Sequence, residues 1–237
     1  LDIGCGWGGL ALYAAQHYGV DVTGITLSKR QVELARERIE EMGLAERCRV
    51  ELMDYRDVPE DTPFDKLVSV GMFEHVGAAK LPVYFEKAWR LLKQGGLFLN
   101  HGIASMKAHF DQGGLLNRLL FKPSSFMQRY VFPDGELVDI HETLRAAEGV
   151  GFEVRDVESL REHYALTLRH WVNRLQASRA EALRHVDEPT YRVWRIYMAA
   201  CSYSFASSRI NVYQALLSRN AEGGASGLPW TREHVYA

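Results

Sequence analysis

Leu1-Asp2-Ile3-Gly4-Cys5-Gly6-Trp7-Gly8-Gly9 is the stretch that decides the fold. An apolar strand end passes through closely spaced glycines into Leu10-Ala11-Leu12-Tyr13-Ala14-Ala15, which opens a helix expected from about Gly9 to Tyr18. Glycines at such a junction let backbone approach a ligand closely, and the helix start offers unpaired N–H groups. Gly4, Gly6 and Gly9 also satisfy the dinucleotide spacing G-x-G-x-x-G. That spacing alone is a weak signal, and a tight turn without any ligand is its alternative.

Outward from the loop, short β-branched runs alternate with longer helical patterns. Val20 to Ile25 reads as a second strand. Ser28 with Gln31 forms a capping box for a helix whose apolar stripe is Val32, Ala35, Ile39 and Met42 and which Gly43 stops. Arg49 to Met53, Lys66 to Val70 and Gly96 to Asn100 read as strands three to five, with a helix over Leu81 to Leu92. A helix near His141 to Ala147 and a strand over Phe152 to Val157 follow. Two long helices come next. Tyr164, Leu168, Trp171, Val172 and Leu175 share a face of the first, the second runs from Thr190 to Phe205, and both are expected to face the core. Asn211 to Leu217 closes the series as a final strand. This rhythm predicts an α/β fold, a doubly wound, mostly parallel, seven-stranded sheet. One domain is expected over 1–219, with a helical lid insertion at about 104–150, and the Gly/Ser-rich residues 220–237 form a loose tail.

With 237 residues, 47% hydrophobic and 24% charged, the chain has enough apolar material for one sizeable core. A net charge of -2 gives no electrostatic reason for a nucleic-acid partner. Cys5, Cys48 and Cys201 are odd in number and far apart, which suggests neither a disulfide framework nor a zinc knuckle and suits a reducing cytoplasm. No apolar run reaches the ~20 residues that span a bilayer. Because the chain opens at Leu1, inside what reads as a strand, a fragment with an upstream segment is expected.

Two details favour S-adenosylmethionine over NAD at the glycine loop. Asp2 stands two residues before the first glycine, where its carboxylate can orient the loop and face the cationic methionine end of the ligand. The ribose-binding acid expected some twenty residues on in NAD proteins is missing, since Gly24-Ile25-Thr26 ends the second strand. Many methyltransferases carry an acid there too, so this second detail cuts both ways.

In such a sheet, ligands bind outside the carboxyl ends of the strands. The residues just past those ends are Cys5 and Trp7; Thr26 and Leu27; Asp54-Tyr55-Arg56-Asp57; Phe73-Glu74-His75; and His101 with Ile103. A carboxylate and an imidazole are thus presented from adjacent strand ends. Each has a plainer reading: Asp54 a turn residue, Glu74 a helix cap, and His75 or His101 a hydrogen-bonded structural histidine. No His-x-x-x-His pair occurs, and no metal is expected.

In order along the chain, LDIGCGWGGLA (1–11), GITLSKRQ (24–31), DYRD (54–57), FDKLVSVGMFEHVG (64–77), HGI (101–103), YVFPDGEL (130–137), HYALTLRHW (163–171) and MAACSYSF (198–205) resemble the cyclopropane-fatty-acyl-phospholipid synthase family and its mycolic-acid relatives, within the class I methyltransferases. The resemblance covers essentially the whole chain. It implies methyl(ene) transfer from S-adenosylmethionine to the cis double bond of an unsaturated phospholipid acyl chain, through a carbocation deprotonated by bound bicarbonate. It further implies cofactor contacts from Asp2, Gly4, Cys5, Gly6, Gly8, Thr26, Leu27, Gln31, Asp54 and Tyr55. The bicarbonate would be gripped by Cys5, Glu74, His101, Ile103 and Tyr164, with Cys201 at the active-site cysteine position. Glu74, His101, Tyr164 and Cys201 are therefore the expected catalytic set, with a small buried residue on an apolar helix as the alternative for Cys201.

Such chemistry explains the residue types. An alkene is a feeble nucleophile, so its attack needs alignment and dryness, and aromatic faces can stabilise the cation it leaves. Residues 113–122 join apolar bulk to Arg118 and Lys122, and either admit lipid at an anionic surface or form a plain packed lid. Peripheral contact with the inner membrane surface and a homo-oligomer are both compatible with this. Three rivals stand beside this expectation: a methyltransferase on the same scaffold making methyl-branched lipid or acting on another small molecule, a non-catalytic cofactor-binding module, and an NAD oxidoreductase. The Glu74, His101 and Tyr164 set argues for alkene chemistry.

Overall fold

The computed structural model describes residues 1–106, 125–133 and 135–235. Strands β1 (Asp2–Ile3), β2 (Val22–Thr26), β3 (Cys48–Leu52), β4 (Phe64–Val70), β5 (Leu92–Ser105), β6 (Glu153–Ser159) and β7 (Ile210–Arg219) form one sheet in the order β3-β2-β1-β4-β5-β7-β6. β7 runs antiparallel to both neighbours, and the other pairings are parallel. The strand order reverses at β1, which is flanked by β2 and β4, so the crevice that a doubly wound sheet offers to ligands opens beside the glycine loop.

Helices α1 (Gly9–Tyr18) and α2 (Lys29–Glu41) cover one face, burying Ala11, Leu12 and Ala15 and Val32, Ala35 and Ile39 against Val22, Cys48 and Val50. α3 (Leu81–Leu91) and, after the short α4 (Ser125–Tyr130), α5 (Ile140–Gly149) cover the other, around Tyr84, Phe85, Phe98 and Phe152. The helices α6 (Arg161–Ala177), α7 (Arg179–His185) and α8 (Glu188–Ala206) lie between β6 and β7 in the chain. A third cluster joins α6 and α8 to β7 through Ala165, Leu168, Phe205 and Val212. Ile103 packs there, on the face of β5 opposite Phe98, as an odd separation along a strand requires.

Several elements depart from the sequence reading. The fifth strand was expected over Gly96 to Asn100 and instead spans fourteen residues, because β7 pairs with it from Gly96↔Arg219 to Ser105↔Ile210 and carries it through His101 and Gly102. The capping box is half made: Ser28 Oγ accepts from Gln31 N at 3.4 Å, but the Gln31 side chain turns instead to Thr26, whose hydroxyl donates to Gln31 Oε1 at 2.6 Å. The expected core-facing stripes of the two long helices hold only in part. Leu168 is buried, Tyr164, Val172 and Leu175 are half-buried, and Trp171 is 41% exposed. In α8 only Tyr191 and Phe205 are buried. These helices pack largely on each other beyond the sheet, so only part of each stripe meets the core. Residues 113–122, with Arg118 and Lys122, lie outside the described residues. No helix among the described residues is long and apolar enough to cross a membrane.

Candidate active site

The loop after β1 takes the conformation its glycines allow. Gly4, Gly6 and Gly8 have φ of 81°, 56° and 80°, a region closed to most side chains. No side chain caps the start of α1. A methyl group added at Gly6 or Gly9 would meet nothing within 4 Å, so space lies open at the loop. At Gly4 the same methyl would stand 2.6 Å from Met72 Cγ, which means the absent side chain lets the loop close on the turn that follows β4.

Beneath the loop, Asp2 is 2% exposed and its Oδ2 has no partner among the described residues. Burial pushes its pKa up to about 6. Across the crevice, Thr26 is buried and bonded to Gln31, and Leu27 is 72% exposed. Asp54 is committed to its neighbour: Arg56 donates Nη2 to Oδ2 at 2.6 Å and Nε to Oδ1 at 2.9 Å, which holds the carboxyl below its ordinary pKa. Tyr55 is half-buried, its ring edge-on to Tyr84 at 5.4 Å.

The turn after β4 carries Phe73, Glu74 and His75 in a short 3-10 segment preceded by Met72. Phe73 lies against Gly102 so closely that a methyl group there would fall 1.8 Å from its ring. Next to it, buried Glu74 accepts a 2.7 Å hydrogen bond from Ile103 N on Oε1, while Oε2 is enclosed and has no partner among the described residues. Burial pushes the Glu74 pKa up, opposed by the Ile103 N–H. The chain returns to brace this turn, Glu136 N donating to the Glu74 carbonyl at 3.0 Å.

Three further groups feel the same charge or each other. Tyr164, half-buried with its ring 5.0 Å from Phe205, has its pKa raised by burial, then by Glu74 and Cys201. Tyr197 is raised by burial and then by Cys201, Tyr164 and Glu74. Burial pushes the Cys201 thiol up to about 11, opposed by Tyr197 one turn before it. Of the residues named from the sequence, Glu74 and Ile103 are hydrogen-bonded and Ile103, Tyr164 and Cys201 share one cluster, near which Tyr197 and Phe132, not named from the sequence, also lie. Tyr197 precedes Cys201 by one helical turn, a spacing that could have drawn notice; Phe132 had no signal beyond its place in YVFPDGEL.

His101 occupies the same face of β5 as Ile103, two residues or about 7 Å away. It is half-buried, and burial lowers its pKa, which favours the neutral imidazole. Cys5 departs from the group. Its thiol packs against Gly24 and Val50 in the α1/α2 layer, with its pKa pushed up to about 12 by burial, so at the loop it presents backbone. No cluster able to hold a metal ion occurs among the described residues.

The family described as mycolic acid cyclopropane synthetase matches residues 1–215. A probable fatty acid methyltransferase of Pseudomonas putida is 47% identical over 236 residues, covering all of this chain and 58% of that protein. The cyclopropane-fatty-acyl-phospholipid synthase of Escherichia coli K12 is 36% identical over 224 residues, covering 94% of this chain and 54% of that protein. The chain therefore spans about half the length of these curated relatives. Among solved structures, mycolic acid cyclopropane synthase CmaA1 complexed with SAH and CTAB superposes with a TM-score of 0.85 at 32% identity, covering 91% of this chain and 76% of that one. Carried by the class I methyltransferase sheet and matched over nearly its whole length, the chain belongs to the mycolic acid cyclopropane synthetase family.

Proposed function

We propose that the protein adds a methylene unit from S-adenosylmethionine across the cis double bond of an unsaturated phospholipid acyl chain. The observation that carries this is the buried Oε2 of Glu74, which has no partner among the described residues and lies two residues from the Met72 side chain that meets Gly4 of the glycine loop. The residues fit both small molecules. The open loop with its uncapped helix start suits the methionine end of the cofactor, and buried Asp2 supplies a charge of the right sign. Glu74 Oε2 can accept the hydroxyl of bicarbonate, while the Tyr164 hydroxyl can donate to that ion.

When bound, S-adenosylmethionine supplies an electrophilic methyl that the alkene π pair takes from sulfur, and bicarbonate supplies the acceptor for the proton lost as the ring closes. The chain does the rest. Asp2 and the loop orient the donor. Asp54, through its pairing with Arg56, and Tyr55, through Tyr84, bound the adenine side. Glu74, fixed by Ile103 N, keeps a hydrogen-bond acceptor in a dry place, and His101 remains uncharged nearby. Tyr164, half-buried and backed edge-on by Phe205, offers an aromatic ring to positive charge on the substrate. Exposed apolar and aromatic residues on α6 and α8 are compatible with peripheral contact at a membrane surface.

The test uses full-length protein, a trideuteromethyl cofactor and unsaturated phospholipid. Ring closure leaves two deuterons and no double bond; a methyl branch keeps three. A second reading, methyl transfer without ring closure, is compatible with the Pseudomonas putida relative, which is named only a probable fatty acid methyltransferase. In Glu74→Gln, turnover is expected to fall by at least ~100-fold, the scale of a lost acid–base group, with cofactor affinity nearly intact. Equal loss of both would assign Glu74 a structural role.

A further inference from the structure

Between α4 and α5 the chain crosses the turn that carries Glu74 and touches it at three points. Phe132 packs edge-on against His75 at 5.4 Å, and on its other side against Tyr197 of α8 at 5.8 Å. Glu136 makes the other two: its N–H donates to the Glu74 carbonyl at 3.0 Å, and its Oε2 accepts from Ala78 N at 3.1 Å. Gly77, between those two bonds, has φ of 78°, and a methyl group there would stand 2.9 Å from the same Oε2. The carboxylate thus fills the space a side chain would need. Further on, Val138 is buried in the core, its carbonyl accepts from Ser105 N at 3.1 Å, and Asp139 accepts from the Ser105 hydroxyl. Glu136 is therefore carried by a segment anchored on both sides of it.

We propose that Glu136 is a positioning residue for Glu74, clasping the Glu74 carbonyl and Ala78 N so that the turn after β4 is locked and Glu74 Oε1 stays on Ile103 N. A carboxylate held by one hydrogen bond keeps its aim only while the backbone beneath it is fixed. The bond to the Glu74 carbonyl comes from backbone, so the side chain acts as its anchor: without the Ala78 N contact, the residue leaves its place and the carbonyl bond goes with it. The consequence for turnover rests on the alkene reading above, whereas the clasp itself does not. Exchange of the Ile103 amide hydrogen reads the clasp directly. β4 pairs with β5 only as far as Val70↔His101, so at Ile103 the Glu74 carboxylate takes the place of a strand.

The experiment measures site-resolved hydrogen exchange on the full-length protein, by mass spectrometry with electron-transfer fragmentation. Leu99, paired with Val68 and Leu216 in the middle of β5, is the internal control. Glu136→Ala is expected to speed exchange at Ile103 at least ~10-fold, as a tenfold shift in a local opening would give, with Leu99 unchanged. Its kcat should fall while the cofactor KM matches the parent. Glu136→Gln, whose amide oxygen still accepts from Ala78 N, should exchange at Ile103 within ~2-fold of the parent. A parental Ile103 rate in Glu136→Ala overturns the proposal, as does a rise shared by Leu99, which marks general destabilisation. Equal acceleration in the Ala and Gln variants overturns it too. Because exchange needs no turnover, it decides this question even where no alkylated lipid forms, an outcome that would count against the proposed function alone.

Discussion

At the scale of single residues, the buried carboxylates stand out. Asp2 has its pKa raised by burial from 3.8 to about 6, so the folded protein holds this proton more tightly than the unfolded chain does. Stability from this group is therefore highest below about pH 4 and falls as pH rises through 6, after which a buried charge persists at a cost of about 3 kcal/mol at most. A protein retains such a charge where a cation will come to meet it. Asp2→Asn is expected to melt higher than the parent at pH 7 to 8, to lose that advantage near pH 4, and to bind S-adenosylmethionine about tenfold more weakly. Melting curves across that range and a cofactor titration check both halves. A difference independent of pH would assign the effect to packing instead.

At the scale of elements, the site depends on how the turn after β4 lies on β5. Gly102 has no room for a side chain, because Phe73 fills that space, and Phe73 in turn sets Glu74 against Ile103 N. Gly102→Ala forces overlap and is expected to cost about 3 kcal/mol, the upper end for overpacking, lowering the melting temperature by roughly 6–12 °C. Adding Phe73→Leu should recover part of that loss; an additive double variant would show that the two residues do not share the space.

Elements also show what was legible in advance. The loop after β1 could be read because glycine is demanded wherever φ is positive, and Glu74 because strand ends of a doubly wound sheet converge. The reach of β5 through His101-Gly102 could not, since its extension comes from pairing with β7 more than a hundred residues later. Likewise Phe132 meets Tyr197 only through the tertiary placement of α8, which no local pattern encodes. The stripes of α6 and α8 misled for a related reason: helical periodicity marks an apolar face without saying whether sheet, neighbour helix or solvent will meet it.

At the scale of the whole molecule, the strand order, the open loop and the family match converge on one nucleotide. Saturating S-adenosylmethionine is expected to raise the melting point through preferential binding to the folded state, by about 2.7 kcal/mol of stabilisation at a hundred times Kd, while NAD leaves it unchanged. A shift with NAD alone would sink the methyltransferase assignment. The same topology carries a consequence for synthesis on the ribosome. β7 is the last strand made, yet it lies between β5 and β6, so both remain with bare edges until residue 219 has emerged. A chain arrested before then holds two unmatched borders of a nascent sheet, each a template for pairing with a stranger. The last strand of this sheet is thus its keystone, since only its arrival joins β6 to the other five.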